Sequence, residues 1–442
     1  MKLEKVANIF VKIAERCIPD PLVIAIGLTG LCFIAVLLLT PYTAIQTIDA
    51  WGASYWSLLA FTAQMILILG LGHVVAHTKP INNLLLKIAS TFNSAKTAYI
   101  GLTLIASLCS LLSWGVGLVV PAILSCAIAS NLKERRIVIH FPLLVCCGYS
   151  GSLVGMLGLS STIPLLLNTT NHFLINKIGI IGLNQTIFSN WNISLIILIM
   201  ALIPLLLYRC APNEKACIEF SNQINQAEVS KVLPKNHHLS QKLENSKYLT
   251  LALGSFASIY SLQYFINGGA LDLNSLNMIF VALGLLFSDS PRHYIMLLSN
   301  AAKIAGPFLI QYPLYAGLMG MMAASGLAEI FINGFVSISN ATTLPIWTFF
   351  SAAILNIFIP SAGGQWAVQG PIMTEAALIL GADISRVSMA VVIGESWTNA
   401  IQPLYMIPVL AITGLSIRDI MGYSVIVLIA MGVIYSTALF FF

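Results

Sequence analysis

Residues 344–380 form two apolar arms around a centre that cannot be a regular helix. Pro360 lacks a backbone N–H, and Gly363 and Gly364 favour non-helical dihedrals. Lipid cannot hydrogen-bond the N–H and C=O groups that a helix break exposes, so the break must face protein, water or a bound solute. We therefore predict a helical hairpin whose tip is a candidate solute site. The alternative is a proline-kinked helix whose glycines allow close packing.

The composition indicates an integral membrane protein. Only 8% of the 442 residues are charged and the mean hydropathy is +0.90, whereas a soluble domain carries roughly 25% charge. Apolar runs long enough to span a bilayer recur along the chain, which predicts an all-α polytopic membrane protein without a separate soluble domain. The net charge of +5 is small, and Lys and Arg lie mostly outside the apolar runs, so nucleic acid is not an expected partner.

A second segment, residues 98–130, repeats the broken pattern with an interruption at residues 113–117. Basic residues flank it on both sides, and the positive-inside rule places both flanks in the cytoplasm. The segment is therefore predicted to enter and leave the membrane at one face, as a re-entrant hairpin. The flanking basic residues are Lys79, Lys87, Lys96, Lys133, Arg135 and Arg136.

The hairpin at residues 344–380 is predicted to open at the opposite face, because residues 334–344 and 381–385 contain no basic residue. Each half then reads span, span, hairpin, span, span. Two inverted repeats with paired broken helices, about ten spans plus two hairpins in all, are typical of secondary transporters. Shifting one half by 247 positions aligns Gln64 with Gln311 and Gly117 with Gly364.

The domain organisation follows from this duplication. The N-terminal residues 3–18 have helical apolar spacing that suits a helix at the membrane surface. A polar stretch separates the halves, and one additional span after it inverts the second copy. The predicted units are residues 1–208 (first inverted repeat with the interfacial helix), 209–248 (cytoplasmic linker), 249–266 (extra linking span) and 267–442 (second inverted repeat).

Polar residues interrupt the span after each hairpin, at residues 148–152 and 394–399. Two tips and two interrupted spans meeting near the membrane centre would offer hydroxyls, amides and helix N-termini. Such donors favour a carboxylate, and no Lys or Arg falls in the core of a predicted span. The predicted substrate-binding residues are Ser113, Trp114, Gly117, Ser150, Ser152, Ser361, Gly363, Gly364, Gln365, Trp366, Gln369, Ser396, Thr398 and Asn399.

Glu395 is the one acidic residue deep in these polar segments. Ionisable groups at that depth are costly and are by default functional, so we predict that Glu395 binds the coupling ion, H+ or Na+. The alternative is a protonated or hydrogen-bonded structural glutamate. Several aromatic residues either form an apolar wall around a short alkyl chain or merely pack. These are Trp114, Trp366, Trp397 and Tyr149.

Five motifs together resemble the AtoE-type short-chain fatty acid transporters. They are PDPL at Pro19, WGVGLVV at Trp114, PSAGGQWAVQGP at Pro360, GESWTNAIQP at Gly394 and LSIRDIMGY at Leu415. The resemblance implies a bacterial inner-membrane carrier of acetoacetate, butyrate or similar acids, within the ion-transporter superfamily. It also implies a homodimer with scaffold and mobile transport domains.

The chain departs from that family at the second hairpin. Where the family pattern reads PSGGGHW, Ala362 and Gln365 replace a glycine and the histidine. This chain has no histidine at that position to bind a proton, so Glu395 is the stronger candidate for the coupling site.

The sequence therefore predicts a cation-coupled secondary carrier of small monocarboxylates, with a cytoplasmic N-terminus and neither cofactor nor metal. A carrier of C4-dicarboxylates or amino acids is the alternative within transport, although a dicarboxylate needs a second strong anion subsite and none is evident. A passive channel is a further alternative. An intramembrane enzyme needs a nucleophile and a base, and only His73, His77 and scattered serines are available. His73 and His77, four apart on one helix face, are also the weak candidates for a metal site.

Overall fold

The computed structural model describes residues 21–214, 217–220, 239–305 and 308–441. Within these ranges the chain is helical and has no strand, which confirms the predicted all-α class. In this described part, seven helices are long and apolar enough to cross a membrane. The number is eight if the bent helix pair Leu309–Ser325 and Leu327–Ile338 counts as one span. The predicted interfacial helix at residues 3–18 lies outside the described residues.

The first half contains α1 (Pro21–Leu39), α2 (Ala44–Ser54), α3 (Leu59–Ala76), α4 (Lys79–Ser90), α5 (Ala95–Leu112), α6 (Trp114–Glu134), α7 (Phe141–Ser152), α8 (Thr162–Leu167), α9 (Ile175–Ile178) and α10 (Asn190–Arg209). Short 3-10 helices lie at Leu153–Leu157 and Leu183–Gln185.

The second half follows α11 (Leu239–Glu244) and the predicted extra span α12 (Lys247–Ile266). Its helices are α13 (Leu273–Phe287), α14 (Pro291–Ala305), α15 (Phe308–Ser325), α16 (Leu327–Ile338), α17 (Leu344–Phe358), α18 (Ala362–Leu380), α19 (Ile384–Asn399), α20 (Pro403–Thr413) and α21 (Ile417–Phe441).

Local sequence signals set several helix ends. Thr43 with Gln46 forms a capping box at the start of α2, and Asp272 with Ser275 forms one at the start of α13. Each box satisfies backbone N–H groups that a first turn leaves free. Gly326 has a φ of 80°, which favours glycine, and the chain bends by 79° between α15 and α16. This apolar segment therefore forms two shorter helices and not one straight span.

Helices α5 and α6 form the first hairpin. At its base, Arg135 Nη1 donates a hydrogen bond to Asn93 Oδ1 over 2.6 Å, and Arg135 Nη2 donates one to Ser90 O over 3.2 Å. Asn93 and Arg135 are 42 positions apart, and a straight helix would separate them by about 60 Å. The chain therefore turns back at Ser113, so the outer ends of α5 and α6 lie together.

Helices α17 and α18 form the second hairpin. Gln369 Nε2 donates a hydrogen bond to Ser351 Oγ over 2.9 Å. These residues are 18 positions apart, which would be about 27 Å along a straight helix. Helix α17 ends at Phe358 and α18 begins at Ala362. The chain thus turns back at the predicted break instead of continuing as a kinked helix.

The helices of the two halves occur in the same order, α1 to α7 matching α13 to α19. Packing between the halves is reciprocal as well. Helix α1 packs on α15 while α13 packs on α3, and α2 packs on α15 while α14 packs on α3. Reciprocal contacts of this kind are expected when two copies of one unit surround a pseudo-twofold axis.

Two glycines show the same correspondence at atomic detail. A Cβ atom on Gly151 of α7 would lie 2.4 Å from the carbonyl oxygen of Thr103. A Cβ atom on Gly394 of α19 would lie 2.5 Å from the carbonyl oxygen of Phe349. In both halves the next nearest atoms are an alanine Cβ and then a backbone nitrogen of the first hairpin arm. Each glycine therefore allows one helix to touch the backbone of the hairpin.

The position of the interrupted spans differs from the prediction. Gly148 and Gly394 lie inside the helices α7 and α19, and the breaks come later, after Ser152 and after Asn399. The physical reason is that glycine in a helix supplies room for a close neighbour and does not by itself unwind the helix. Gly148 faces Pro121, which a Cβ atom would approach to 3.0 Å.

Part of the predicted linker packs on the helices. Phe141 N–H donates a hydrogen bond to Ile218 O over 2.9 Å, and Lys133 Nζ donates one to Phe220 O over 2.8 Å. Phe220 is buried, and its ring centroid lies 4.8 Å from that of Phe141. Residues 217–220 therefore dock at the start of α7, next to the base of the first hairpin.

We predict that Gly151→Ala and Gly394→Ala each lower the free energy of unfolding by about 1–3 kcal/mol, because the added methyl group overlaps backbone atoms. Thermal unfolding of the purified protein in detergent measures the effect. Gly27→Ala in α1 is the matched control, since a Cβ atom there meets nothing within 4 Å. Equal stability of all three variants would contradict the proposed close packing.

Candidate functional site

The tip of the second hairpin is built around Ser361, the N-cap of α18. Its hydroxyl accepts a hydrogen bond from Gly364 N–H over 3.5 Å and lies 2.8 Å from the hydroxyl of Tyr312 on α15. Gly363 packs so tightly that a Cβ atom would come within 2.6 Å of the ring of Phe61. Ser361 itself is partly exposed. The tip is thus held by α3 and α15 while its polar end stays accessible.

Glu395 lies on α19 directly beside this tip and is 2% exposed. Its carboxyl group accepts hydrogen bonds from the backbone N–H of Ala362 and from the side chain of Asn399. Among the described residues, no Lys or Arg forms an ion pair with it. The carboxyl group of Glu395 is therefore the hydrogen-bond partner of the first backbone N–H of α18, at the positive end of the helix dipole.

Asn356 of α17 orients the cluster that Ala362, Glu395 and Asn399 form. Its Nδ2 donates to the backbone carbonyl oxygen of Glu395 over 3.1 Å, to Thr398 Oγ1 over 3.0 Å and to Asn399 Oδ1 over 2.8 Å. A carbonyl oxygen can only accept, so the orientation of the Asn356 amide is assigned by its partner. Because Asn399 Oδ1 accepts from Asn356, its Nδ2 is the atom that faces Glu395.

Several polar atoms around this cluster are buried without a partner. They belong to Asn356 (Oδ1), Gln402 (Oε1) and Tyr405 (hydroxyl). Gln402 Nε2 donates to Asn356 O over 3.1 Å, which ties the break before α20 to the end of α17. Tyr312 and Tyr405 also interact electrostatically with Glu395. Unpartnered buried groups are rare in folded proteins, and these three are among twelve such atoms in the described residues.

The tip of the first hairpin has neutral partners. Trp114 N–H donates to Ser160 Oγ over 2.8 Å, and Gly117 N–H donates to Ser113 O over 2.8 Å. Ser113 is buried and its hydroxyl has no partner. This hydroxyl would lie 3.5 Å from a Cβ atom on Gly72 of α3. The two tips thus differ, because only the second one carries a carboxyl group.

Three other predicted residues of the second hairpin lie between its arms and not at its tip. Gln365 Nε2 donates to Ala352 O over 3.0 Å and to Gln369 Oε1 over 3.1 Å. Trp366 is fully buried against Gly370. Hydrogen bonds from Gln365 and Gln369 therefore join α18 to α17, whereas Trp366 packs on Gly370 within α18.

The predicted hydroxyls of the interrupted spans are also engaged in packing. Ser152 Oγ donates to Tyr149 O over 2.6 Å, and Ser396 Oγ donates to Leu153 O over 2.9 Å. Ser150 Oγ lies 3.6 Å from the sulfur of Cys146. The hydroxyls of Ser152 and Ser396 thus satisfy backbone carbonyls, and that of Ser150 contacts a cysteine sulfur.

Bonds across the two halves join the interrupted spans to each other. The Tyr149 hydroxyl donates to the carbonyl oxygen of Asn399, 250 positions away.

A matching bond occurs inside each half: Ser110 Oγ donates to Ser152 O over 2.5 Å, as Asn356 Nδ2 does to Glu395 O. In each half, a side chain of the first hairpin arm thus donates a hydrogen bond to a carbonyl oxygen near the end of the helix that follows the hairpin. The residue with that carbonyl is Ser152 in the first half and Glu395 in the second.

The aromatic residues mostly pack. Trp397 Nε1 donates to Leu428 O over 2.7 Å, and its ring stacks on Phe349 with centroids 5.0 Å apart. Tyr149 and Tyr405 have ring centroids 6.1 Å apart. Of the predicted apolar wall, Tyr149 and Trp366 are buried, whereas Trp114 and Trp397 are partly buried.

The two histidines of α3 stack on each other. Their ring centroids are 4.0 Å apart, and His77 Nδ1 lies 2.9 Å from His73 O. Within the described ranges, no group of three or more His, Cys, Asp or Glu side chains could hold a metal ion. Glu375, further along α18, pairs with Lys177 over 2.7 Å.

Sequence reasoning missed Asn356, Tyr312, Gln402 and Tyr405 as members of the cluster. Asn356 carries a visible signal, since it is the only amide side chain in the apolar arm at Leu344–Phe358. Tyr312 and Tyr405 carry none, because tyrosine is common in apolar helices as a packing residue. Their role depends on which neighbours the fold brings to them.

This arrangement of helices is shared with a solved structure. The Alcanivorax borkumensis YdaH transporter superposes with a TM-score of 0.61 at 16% sequence identity, over 95% of this chain and 98% of that one. The likeness shows a common fold. With its apolar helices long enough to cross a bilayer, the protein is a multi-pass membrane protein.

Sequence comparison then gives the family. The profile of the family described as short chain fatty acid transporter matches residues 2–442. A relative in Escherichia coli (strain K12) is 35% identical over 441 residues, 99% of each chain. One in Haemophilus influenzae (strain ATCC 51907 / DSM 11121 / KW20 / Rd) is 33% identical over 449 residues, 99% of this chain and 100% of the relative. Both names refer to short-chain fatty acid transport. The chain belongs to the short-chain fatty acid transporter family.

We predict that Asn356→Ala lowers the free energy of unfolding by about 1–3 kcal/mol, because it leaves buried acceptors without their donor. Thermal unfolding in detergent measures the loss. Asn267→Ala is the control, since Asn267 is an exposed residue after α12. A loss no larger than that of the control would show that Asn356 does not organise the cluster.

Proposed function

We propose that the protein is a secondary active transporter of short-chain fatty acids such as butyrate or acetoacetate, coupled to a cation and working by alternating access. The observation that carries the proposal is the tip of the second hairpin. There the N–H of Ala362 at the N-terminus of α18 and the Asn399 side chain supply hydrogen-bond donors to the buried carboxyl group of Glu395, and among the described residues no cationic side chain pairs with it. These are the groups that recognise a monocarboxylate.

The two tips support alternating access. The first lies against Gly72 and the second against Phe61 of the same helix, α3. Eleven positions separate these residues, which is about 16 Å along a helix. Tips at the two ends of one helix suit two gates around a shared central site, with the hairpins entering from opposite faces. The reciprocal packing of the halves supports the same inverted duplication.

The cellular setting of the proposal follows the sequence. The protein would lie in the bacterial inner membrane as a homodimer, with its N-terminus in the cytoplasm, where the flanking basic residues also lie. Ser361, Gly363, Gly364, Thr398 and Asn399 would bind the substrate carboxylate from the second tip. Ser113, Trp114 and Gly117 would contribute from the first tip, and Glu395 would bind the coupling ion.

We expect proteoliposomes that contain the protein to accumulate labelled butyrate when a proton or sodium gradient is imposed. Each gradient is applied separately, and protein-free liposomes are the control. Uptake without accumulation above equilibrium would indicate a channel. Competition by succinate as strong as that by acetoacetate would indicate a C4-dicarboxylate carrier, and no uptake of any of these acids would overturn the proposal.

We predict that Ser361→Ala raises the KM for butyrate about fivefold, the effect of losing one hydrogen bond of about 1 kcal/mol. Tyr312→Phe should act similarly, and the double variant should be less than additive because the two hydroxyls form one hydrogen bond. Initial rates of uptake measure all three. Ser337→Ala on the exposed face of α16 is the control, and equal KM values for Ser361→Ala and this control would exclude Ser361 from the site.

A further inference from the structure

The chemistry of the second tip leads to one further inference, which rests on the proposed function. Glu395 is a carboxyl group, and so is the functional group of a short-chain fatty acid. Both need donors that point at two oxygen atoms in a buried place. At the second tip such donors are the Ala362 N–H and the Asn399 side chain, and Glu395 occupies them.

We propose that Glu395 is a built-in competitor of the substrate. In the substrate-free protein its carboxylate occupies the donors at the N-terminus of α18. A butyrate carboxylate takes these donors only when a proton neutralises Glu395 and releases it. The coupling ion is then H+, one proton taken up for each monocarboxylate bound.

Two carboxylates at one site repel each other strongly when no cation lies between them. Among the described residues, no Lys or Arg pairs with Glu395. The protein therefore has no fixed charge that would hold Glu395 and a second carboxylate together. Protonation removes this repulsion and also weakens the bonds from Ala362 N–H and Asn399, because hydrogen bonds to a charged acceptor are roughly twice as strong as neutral ones.

A sodium ion fits the same place less well. The N-terminus of α18 carries partial positive charge, which attracts anions and repels cations. The donors Ala362 N–H and Asn399 Nδ2 point at the carboxyl group as well. A proton needs no room beyond the carboxyl group, whereas a metal ion would have to displace these donors.

The titratable groups that face Glu395 do not replace it as the proton acceptor. Tyr312 from α15 and Tyr405 from α20 interact with it, and Tyr149 from α7 lies next to Tyr405. On α21, Tyr435 reaches Ser396, next to Glu395. All four are phenols, which remain neutral in the working pH range, so Glu395 is the group here that can change charge.

Calorimetric titration of the purified full-length protein with butyrate tests the proposal. Titrations at about pH 9, where a buried carboxyl group with a raised pKa is also ionised, in two buffers of different ionisation enthalpy give the number of protons taken up per butyrate bound, and butyrate itself stays ionised there. The wild type should take up close to one proton. Its Kd should rise with pH, by as much as tenfold per unit where Glu395 is ionised. Glu395→Gln should bind butyrate with no proton uptake and a flat pH profile.

Glu375→Gln is the matched control, because Glu375 is a surface carboxylate paired with Lys177. It should behave as the wild type. Proton uptake by Glu395→Gln equal to that of the wild type would overturn the proposal, as would wild-type binding that requires Na+ and takes up no proton. If the wild type binds neither butyrate nor acetoacetate, the proposed function itself fails.

A second variant tests the shared donor without changing Glu395. Ala362→Pro removes the N–H at the first position of α18, where proline is well tolerated, and Ser361 before it already has extended backbone. At about pH 6 we expect its Kd for butyrate to rise at least about tenfold, as the loss of a hydrogen bond to a charged group implies. An unchanged Kd in a folded variant would show that the substrate does not use this donor.

Discussion

The architecture depends on where the backbone hydrogen-bonding groups go when a helix stops inside an apolar environment. Each helix end leaves N–H or C=O groups without partners, and lipid offers none. In this protein the partners are side chains from other segments of the chain. Ser160 serves the start of α6, Glu395 serves the start of α18 and Gln402 serves the end of α17. The breaks are stable only because the rest of the fold delivers these groups.

The same requirement makes the breaks useful for transport. A helix end that is satisfied by a side chain can exchange that side chain for a solute of similar chemistry. At the first tip the partner is a neutral hydroxyl, and at the second it is a carboxyl group. Ser110 and Asn356 hold equivalent backbone positions in the two halves, next to Ser152 and Glu395 respectively. Each half thus supports one tip, and the second tip is paired with an ionisable group.

Much of this could be predicted from residue types alone. Pro360 specifies a break, and the break is present between α17 and α18, whereas Gly363 and Gly364, expected to be non-helical, lie in the first turn of α18. The glycines at 148 and 394 were misread, because the same residue type also permits close packing within a helix. Gln365 and Gln369 were expected at the tip for their polarity, yet polar side chains inside a hairpin bond equally well to the opposite arm.

The sequence by itself determined the membrane class, the all-α architecture and the positions of the hairpin breaks, because hydropathy and backbone chemistry are local properties. Only the tertiary structure decided which donor meets which acceptor. Asn356 reaches Asn399 from 43 positions away, and the Tyr149 hydroxyl reaches the Asn399 carbonyl across 250 positions. Hydrogen bonds act over about 3 Å, so partners this distant along the chain are chosen by the packing of the helices.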